Sequence, residues 1–188
     1  MRITVFGATG GVGRQIVGQA LAAGHEVTAV VRDPDRIPEP LDRGALHGVV
    51  RLDDEAAVRA AVAGRDAVLS GLGSRGRKAN GVAERLTRRI VAAMEAEGTR
   101  RLLVVSAVLA ELYADLARME AVLAAGATDW TAVRPPRLTD GPRTGVYRMA
   151  VGGTPRSSRT VSRADVAHAM LALIDDPAAV KQGVGIAY

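Results

Sequence analysis

Apolar residues along this chain fall into two rhythms. Short blocks rich in Val, Ile and Leu stand near residues 2–6, 26–31, 47–50, 66–69, 101–105 and 129–133, as expected of strands buried on both faces. Longer segments with helical spacing lie near 11–22, 54–62, 80–97 and 109–125. Val82, Leu86, Ile90 and Met94 recur at one-turn intervals, and so do Leu109, Leu112, Leu116, Met119 and Leu123, so each set predicts a helix with one buried stripe. A last helix is expected near 163–175, with Ser162 as N-cap, Asp165 in the capping-box position and Asp175-Asp176-Pro177 as its stop. Strand and helix alternate along the chain, which predicts an α/β protein: a Rossmann-like doubly wound parallel sheet in a single domain over residues 1–188. After Val133 the pattern dissolves into Pro135-Pro136-Arg137-Leu138-Thr139-Asp140-Gly141-Pro142-Arg143-Thr144-Gly145, too rich in Pro and Gly for a helix. This loop leaves the C-terminal edge of the sheet and is either a substrate wall or a plain connector, with the substrate side of the domain in about 134–188.

The first block runs straight into glycines. Gly7, Gly10 and Gly13 follow a strand and open a helix, the arrangement in which a backbone turns tightly against a pyrophosphate and the third glycine lets helix approach sheet. Gly11 and Val12 begin that helix, whose unpaired N–H groups and positive dipole end favour phosphate. Gly-rich turns also join strands to helices in proteins that bind nothing. The strand before, the helix after and the second strand beyond favour a dinucleotide site.

Composition narrows the choice of ligand. The 188 residues are 48% apolar, enough to bury a substantial core. No apolar run reaches the ~18 residues of a membrane span and no basic leader precedes the first strand, so a cytoplasmic protein without membrane association is expected. With no cysteine and only His25, His47 and His168, neither a disulfide nor a metal centre is expected. The net charge of +5 comes from 23 arginines and two lysines spread along the chain, among one Trp, one Phe and three Tyr. That is no platform for nucleic acid, although it favours small anionic ligands. Arg85, Arg88 and Arg89 lie off the apolar stripe and read as a solvated or subunit-facing surface, in a monomer or homodimer.

The end of the second strand bears on which dinucleotide binds. In Val31-Arg32-Asp33-Pro34-Asp35-Arg36 an arginine stands where NAD sites carry an acid for the ribose 2′-OH, and Arg32 with Arg36 would pair with a 2′-phosphate. NADP(H) is therefore favoured over NAD(H). The competing reading gives Asp33 to the ribose, or to capping the turn that Pro34 opens.

Several stretches together resemble a known family over nearly the whole chain. Phe6-Gly7-Ala8-Thr9-Gly10-Gly11-Val12-Gly13, Val31–Arg36, Val62–Val68, Val104-Val105-Ser106-Ala107, Val133–Arg137 and Thr144-Gly145-Val146-Tyr147 are similar to atypical short-chain dehydrogenases, specifically the NAD(P)H-binding proteins akin to flavin reductase, also called biliverdin-IXβ reductase. The resemblance implies that Thr9 and the glycine turn hold the pyrophosphate, that Arg32 and Arg36 read the 2′-phosphate, and that Ser106 lies beside the nicotinamide. Two departures bear on the substrate. Arg137 replaces a histidine of the family, exchanging a ring for a permanent cation, and the stretch after Ser106 is shorter, leaving a more open pocket or a missing segment.

The chain also lacks something. Ordinary short-chain dehydrogenases protonate a reduced carbonyl with a tyrosine and a lysine one helical turn later, but Tyr113 is followed at that spacing by Ala117, and Lys78 and Lys181 lie elsewhere. A hydride acceptor protonated by solvent needs no such pair. The expectation is an NADPH-dependent reductase of a planar, anionic small-molecule acceptor such as a flavin or a biliverdin-like tetrapyrrole. Ser106 would be its catalytic residue, with Arg75, Arg137 and Arg143 on the acceptor. Ser106 has an alternative as a strand-end residue bonding local backbone, and His168 reads as structural. A non-catalytic NADP(H) sensor acting through a protein partner, similar to transcriptional regulators of this fold, remains the rival from another class, and an interaction module with no cofactor is a third.

Overall fold

A computed structural model describes residues 1–33, 46–72, 81–107, 114–156 and 159–188. Its first half follows the expected alternation: β1 (Arg2–Phe6), α1 (Gly11–Ala22), β2 (Glu26–Val31), β3 (Gly48–Arg51), α2 (Glu55–Val62), β4 (Ala67–Ser70), α3 (Val82–Ala96), β5 (Arg101–Val105), α4 (Ala114–Ala125) and β6 (Asp129–Arg134). Then come β7 (Arg137–Thr139), β8 (Arg148–Val151), β9 (Thr160–Ser162), α5 (Arg163–Ala172), a 3-10 turn (Pro177–Ala179) and β10 (Gln182–Ala187).

Among the described residues eight strands form one sheet in the order β3-β2-β1-β4-β5-β6-β10-β8, and β7 pairs with β9 apart from it. Neighbours in the large sheet are parallel except β10 and β8. Chain order runs outward one way from β1 and the other way from β4, so the topological switch point lies between them. In open parallel sheets that is where ligands enter, at the C-terminal ends of the strands.

Residue alternation builds a core on each face. Ile3, Val5, Val27, Ala29, Leu69, Leu103 and Val133 pack under α1 and α5, while Phe6, Val30, Val68, Leu102, Val104 and Ala132 pack under α2, α3 and α4. Successive strand residues point to opposite faces, and both faces here are apolar. The expected stripe of α3 is rotated: Ile90 and Met94 are buried and Leu86 partly so, but Val82 in the first turn is exposed and Ala83, Thr87 and Val91 share the buried face. Leu109 and Leu112 of the other stripe fall outside the described residues, whereas Leu116, Met119 and Leu123 are buried as expected.

Two expectations for the C-terminal third need correction. The Pro- and Gly-rich stretch after Val133 is not all loop, because Arg137–Thr139 forms β7, hydrogen-bonded in parallel to β9. The last helix ends at Ala172, before the Asp-Asp-Pro stop. Leu173 and Ile174 are buried in the turn that follows, and Pro177 instead opens the 3-10 turn, capped by the Asp176 side chain. The Ser162 cap is present, its side chain accepting from the Asp165 N–H at 2.9 Å. The reciprocal half of the capping box is not, since the Ser162 N–H donates to the Tyr188 hydroxyl at 3.1 Å. Among the described residues no helix is long and apolar enough to cross a membrane.

Candidate functional site

Glycines bring three backbones together at the switch point. Gly7 turns the chain out of β1 at φ +69°, in the left-handed region that glycine occupies without strain. A Cβ on Gly13 would stand 2.0 Å from the Gly7 carbonyl oxygen, and one on Gly71, just after β4, would stand 2.7 Å from the Gly13 nitrogen. Helix α1 therefore sits against the ends of both β1 and β4 because neither contact has room for a side chain. The role of Gly71 was not read from the sequence; its only signal is a glycine closing the fourth apolar block.

The start of α1 is open. Gly10, its N-cap, donates its N–H to the Gly7 oxygen at 2.8 Å and has no side chain to cap the helix, whereas α2 and α5 are capped by Asp54 and Ser162. The first N–H groups of a helix have no partners within it, so those of Gly11, Val12 and Gly13 lack intrahelical acceptors, beside exposed Thr9. A cation lies next to them: a Cβ on Gly11 would meet Arg163 Cδ and Nε at 2.7 Å. Arg163, the first residue of α5, drapes over the glycine turn and donates through Nη1 to Asp140 at 2.6 Å. Glycines, N–H groups without intrahelical acceptors, a helix dipole and a guanidinium suit a pyrophosphate. Arg163 carried no sequence signal, since contact with Gly11 arises only from the packing of α5 on α1.

The ribose end follows from β2. The Gly7 N–H donates to the Val30 oxygen at 3.2 Å, tying the turn to the strand from which Arg32 emerges into solvent. Asp33 is half-buried. Arg36, expected beside Arg32, and Arg75, expected at the acceptor, lie outside the described residues, as do Tyr113 and the stretch after Ala107.

At the end of β5 the Ser106 N–H donates to the Val133 oxygen at 2.8 Å. Among the described residues its hydroxyl bonds a side chain. It donates to Glu120 Oε1 of α4 at 2.5 Å, and the same carboxylate accepts from Arg134 Nε at 3.0 Å and Nη2 at 2.5 Å. The Arg134 guanidinium lies flat on β10, where a Cβ on Gly183 would be 2.5 Å from Arg134 Cζ. Ser106, Glu120 and Arg134 thus form a chain of charge-assisted hydrogen bonds across the C-terminal edge. Glu120 and Arg134 were not singled out from the sequence. On a helix wheel Glu120 is one more polar-face charge; only an arginine closing an apolar strand hinted at a buried partner.

Arg137, the first residue of β7, and Arg143 are both exposed on the segment that follows β6. That segment is anchored by a fully buried carboxylate. Asp165 accepts from the N–H groups of Thr144 and Gly145 at 2.9 and 2.8 Å, from the hydroxyls of Thr144 and Tyr188 at 2.8 Å each, and from Ser162 Oγ at 3.1 Å. Burial pushes its pKa up, but the hydrogen bonds from Gly145, Tyr188 and Thr144 outweigh that and leave it below the ordinary carboxylate value. Tyr147 and His168 meet edge to face, with the phenol oxygen 2.7 Å from His168 Nδ1, and Tyr147 packs against the core.

The model of a family described as NAD(P)H-binding matches residues 7–177, nearly the whole chain including the glycine turn. The chain belongs to the NAD(P)H-binding family. A curated relative of this NAD(P)H-binding chain is the 3-diazoavenalumate denitrifying reductase of a Streptomyces species, 45% identical over 69 residues, which are 37% of this chain and 22% of that protein. The match therefore spans well under two thirds of the relative. Among solved structures, the fold is shared with an anaerobilin reductase from Escherichia coli O157:H7 at 22% identity and TM-score 0.78, covering 100% of this chain and 97% of the other. It is shared also with a Streptococcus pneumoniae protein proposed as an NADH-flavin reductase, at 23% identity and TM-score 0.82, covering 100% and 99%. At such identities the likeness establishes the Rossmann architecture of this NAD(P)H-binding protein.

Proposed function

We propose that this chain is an NADPH-dependent reductase that passes hydride to a planar, anionic acceptor of the flavin or linear tetrapyrrole class. The observation that carries the reading is the switch point, where Gly7, Gly13 and Gly71 let the backbones of β1, α1 and β4 close on one another beside an uncapped helix start and Arg163. NADPH supplies the hydride when bound. The N–H groups of Gly11, Val12 and Gly13 would hold its pyrophosphate, with Gly7, Gly10 and Thr9 around it, and Arg163 would add charge on one flank. Arg32, exposed beyond β2, is the candidate for the 2′-phosphate, jointly with Arg36. Ser106 is the candidate beside the nicotinamide. Arg137 and Arg143, with Arg75, are candidates for the acceptor's carboxylates or phosphate.

No tyrosine and lysine a helical turn apart stand at Tyr113 and Ala117. A reduced isoalloxazine or bilin takes its remaining proton from solvent, so the chain's task is to stack the acceptor over the nicotinamide and exclude other orientations.

The test mixes purified protein with NADPH and, separately, FMN, riboflavin and biliverdin, following loss of nicotinamide absorbance. Acceptor-dependent oxidation by at least one compound is expected. Tight NADPH binding with no oxidation across the panel would overturn the reductase reading and favour a non-catalytic sensor. In the same assay Arg32→Glu should weaken NADPH binding by about tenfold or more, a lost charge-assisted contact with the phosphate, and leave NADH binding nearly unchanged. Equal effects on both dinucleotides would sink the assignment of Arg32.

A further inference from the structure

The hydrogen-bond chain at the end of β5 has a direction, and the direction decides what Ser106 offers a ligand. A serine hydroxyl has one proton and two lone pairs, whereas a carboxylate can only accept. Glu120 receives both arms of the Arg134 fork, Nε on Oε1 and Nη2 on Oε2. The Ser106 proton is therefore directed to Glu120 Oε1, at 2.5 Å. Arg134 is fixed in turn because Gly183 leaves room for its guanidinium on β10.

The geometry points to Glu120 as a positioning residue that takes the Ser106 proton, so that Ser106 presents only lone pairs and selects a hydrogen-bond donor: the carboxamide NH2 of the nicotinamide. This rests on the reading that NADP(H) binds with its nicotinamide beside Ser106, and it adds a polarity to that contact. A serine with its proton free would serve equally as donor to the carboxamide oxygen. A serine held by Glu120 does not, and would favour the carboxamide nitrogen over its oxygen.

The experiment compares affinities for NADP+ and for its 3-acetylpyridine analogue, in which a methyl ketone keeps the carbonyl and loses the N–H donors. The wild-type protein should prefer NADP+ about three- to tenfold, the value of one neutral hydrogen bond. Ser106→Ala should bring the ratio near one. In Glu120→Met the acceptor of the serine proton is gone, so that proton is free to turn toward the ligand. The preference should then vanish or reverse. A purely structural role for Glu120 predicts instead that both affinities fall together with the ratio intact, and that result overturns the proposal. Equal wild-type affinity for the two dinucleotides overturns it without touching cofactor binding, because a wild-type comparison needs no variant to fold. Failure to bind either dinucleotide overturns the reading of the site and this inference with it.

Discussion

The glycines of the first turn do different jobs, and single methyl groups should separate them. On Gly13 an added methyl meets the Gly7 oxygen at 2.0 Å, a backbone atom that cannot swing away, whereas on Gly10 its nearest neighbour is the same oxygen at 3.1 Å. Gly13→Ala should therefore cost about 3 kcal/mol or more of stability in a denaturant titration, as overpacking against fixed backbone does. Gly10→Ala should cost under about 1 kcal/mol, yet weaken NADPH binding about tenfold or more, because the methyl stands in the phosphate space. A folded Gly10→Ala protein with unchanged affinity would move the pyrophosphate elsewhere. The sequence was legible at this scale where backbone conformation requires a residue type, as at Gly7 and Gly13. It was not legible at Arg163, Glu120 and Arg134, whose partners Gly11, Ser106 and Gly183 lie on other elements and meet them only once the helices are packed.

At the scale of elements, the strands from β1 to β6 were readable because burial on both faces writes an unbroken apolar run. The four later strands were not. β7 and β9 are three residues each, β8 is an edge strand with Met149 and Val151 exposed, and β10 is interrupted by Gly183 and Gly185. Those glycines weaken the strand signal for a reason tied to the fold: a Cβ on Gly185 would stand 2.5 Å from the Gly153 oxygen, and Gly183 makes way for Arg134. What orders this third of the chain is Asp165, which gathers the Thr144–Gly145 turn, Ser162 and the terminal Tyr188 around one buried carboxylate. Asp165→Asn replaces an acceptor oxygen by a donor facing other donors and should cost about 2–3 kcal/mol at pH 7. The folded pKa lies below its ordinary value, so this contribution is present above the unfolded pKa of about 3.9 and is lost as pH falls through the folded one. Denaturant midpoints should thus show a gap between wild type and Asp165→Asn that is constant from pH 7 to about 5 and narrows below about 4. A gap independent of pH would mean that the hydrogen bonds do not hold the carboxylate ionised.

Across the whole molecule, the proposed function puts binding at one end of the parallel sheet and leaves the other to stability. Arg101 opens β5 at the edge away from Ser106, and a strand of this length separates the two by about 15 Å. It is half-buried, and its guanidinium ties the end of the last helix to the sheet, donating to the oxygens of Leu173, Ile174 and Asp129 at 2.5, 2.7 and 2.8 Å and to Thr131 Oγ1 at 2.8 Å. Burial lowers its pKa, with Asp129, Asp176 and Asp175 opposing, but a guanidinium stays charged at any working pH. Arg101→Met keeps the stem and removes four hydrogen bonds, so it should lower stability by about 2–4 kcal/mol, a drop of roughly 5–15 °C in a domain of this size. The crevice should not notice. NADPH at a hundred times its Kd stabilises a protein that binds it only when folded by about 2.7 kcal/mol, and that increment should be the same in wild type and Arg101→Met. In Arg32→Glu the pattern inverts, with the baseline midpoint nearly unchanged and the NADPH increment reduced, because an exposed side chain at the C-terminal edge contributes to the ligand and little to the fold. Thermal melts of the three proteins with and without NADPH test this directly. An Arg101→Met protein that loses the increment as well would show that the edges are coupled through β5, and the C-terminal crevice could then no longer be treated as a site carried passively on a rigid sheet.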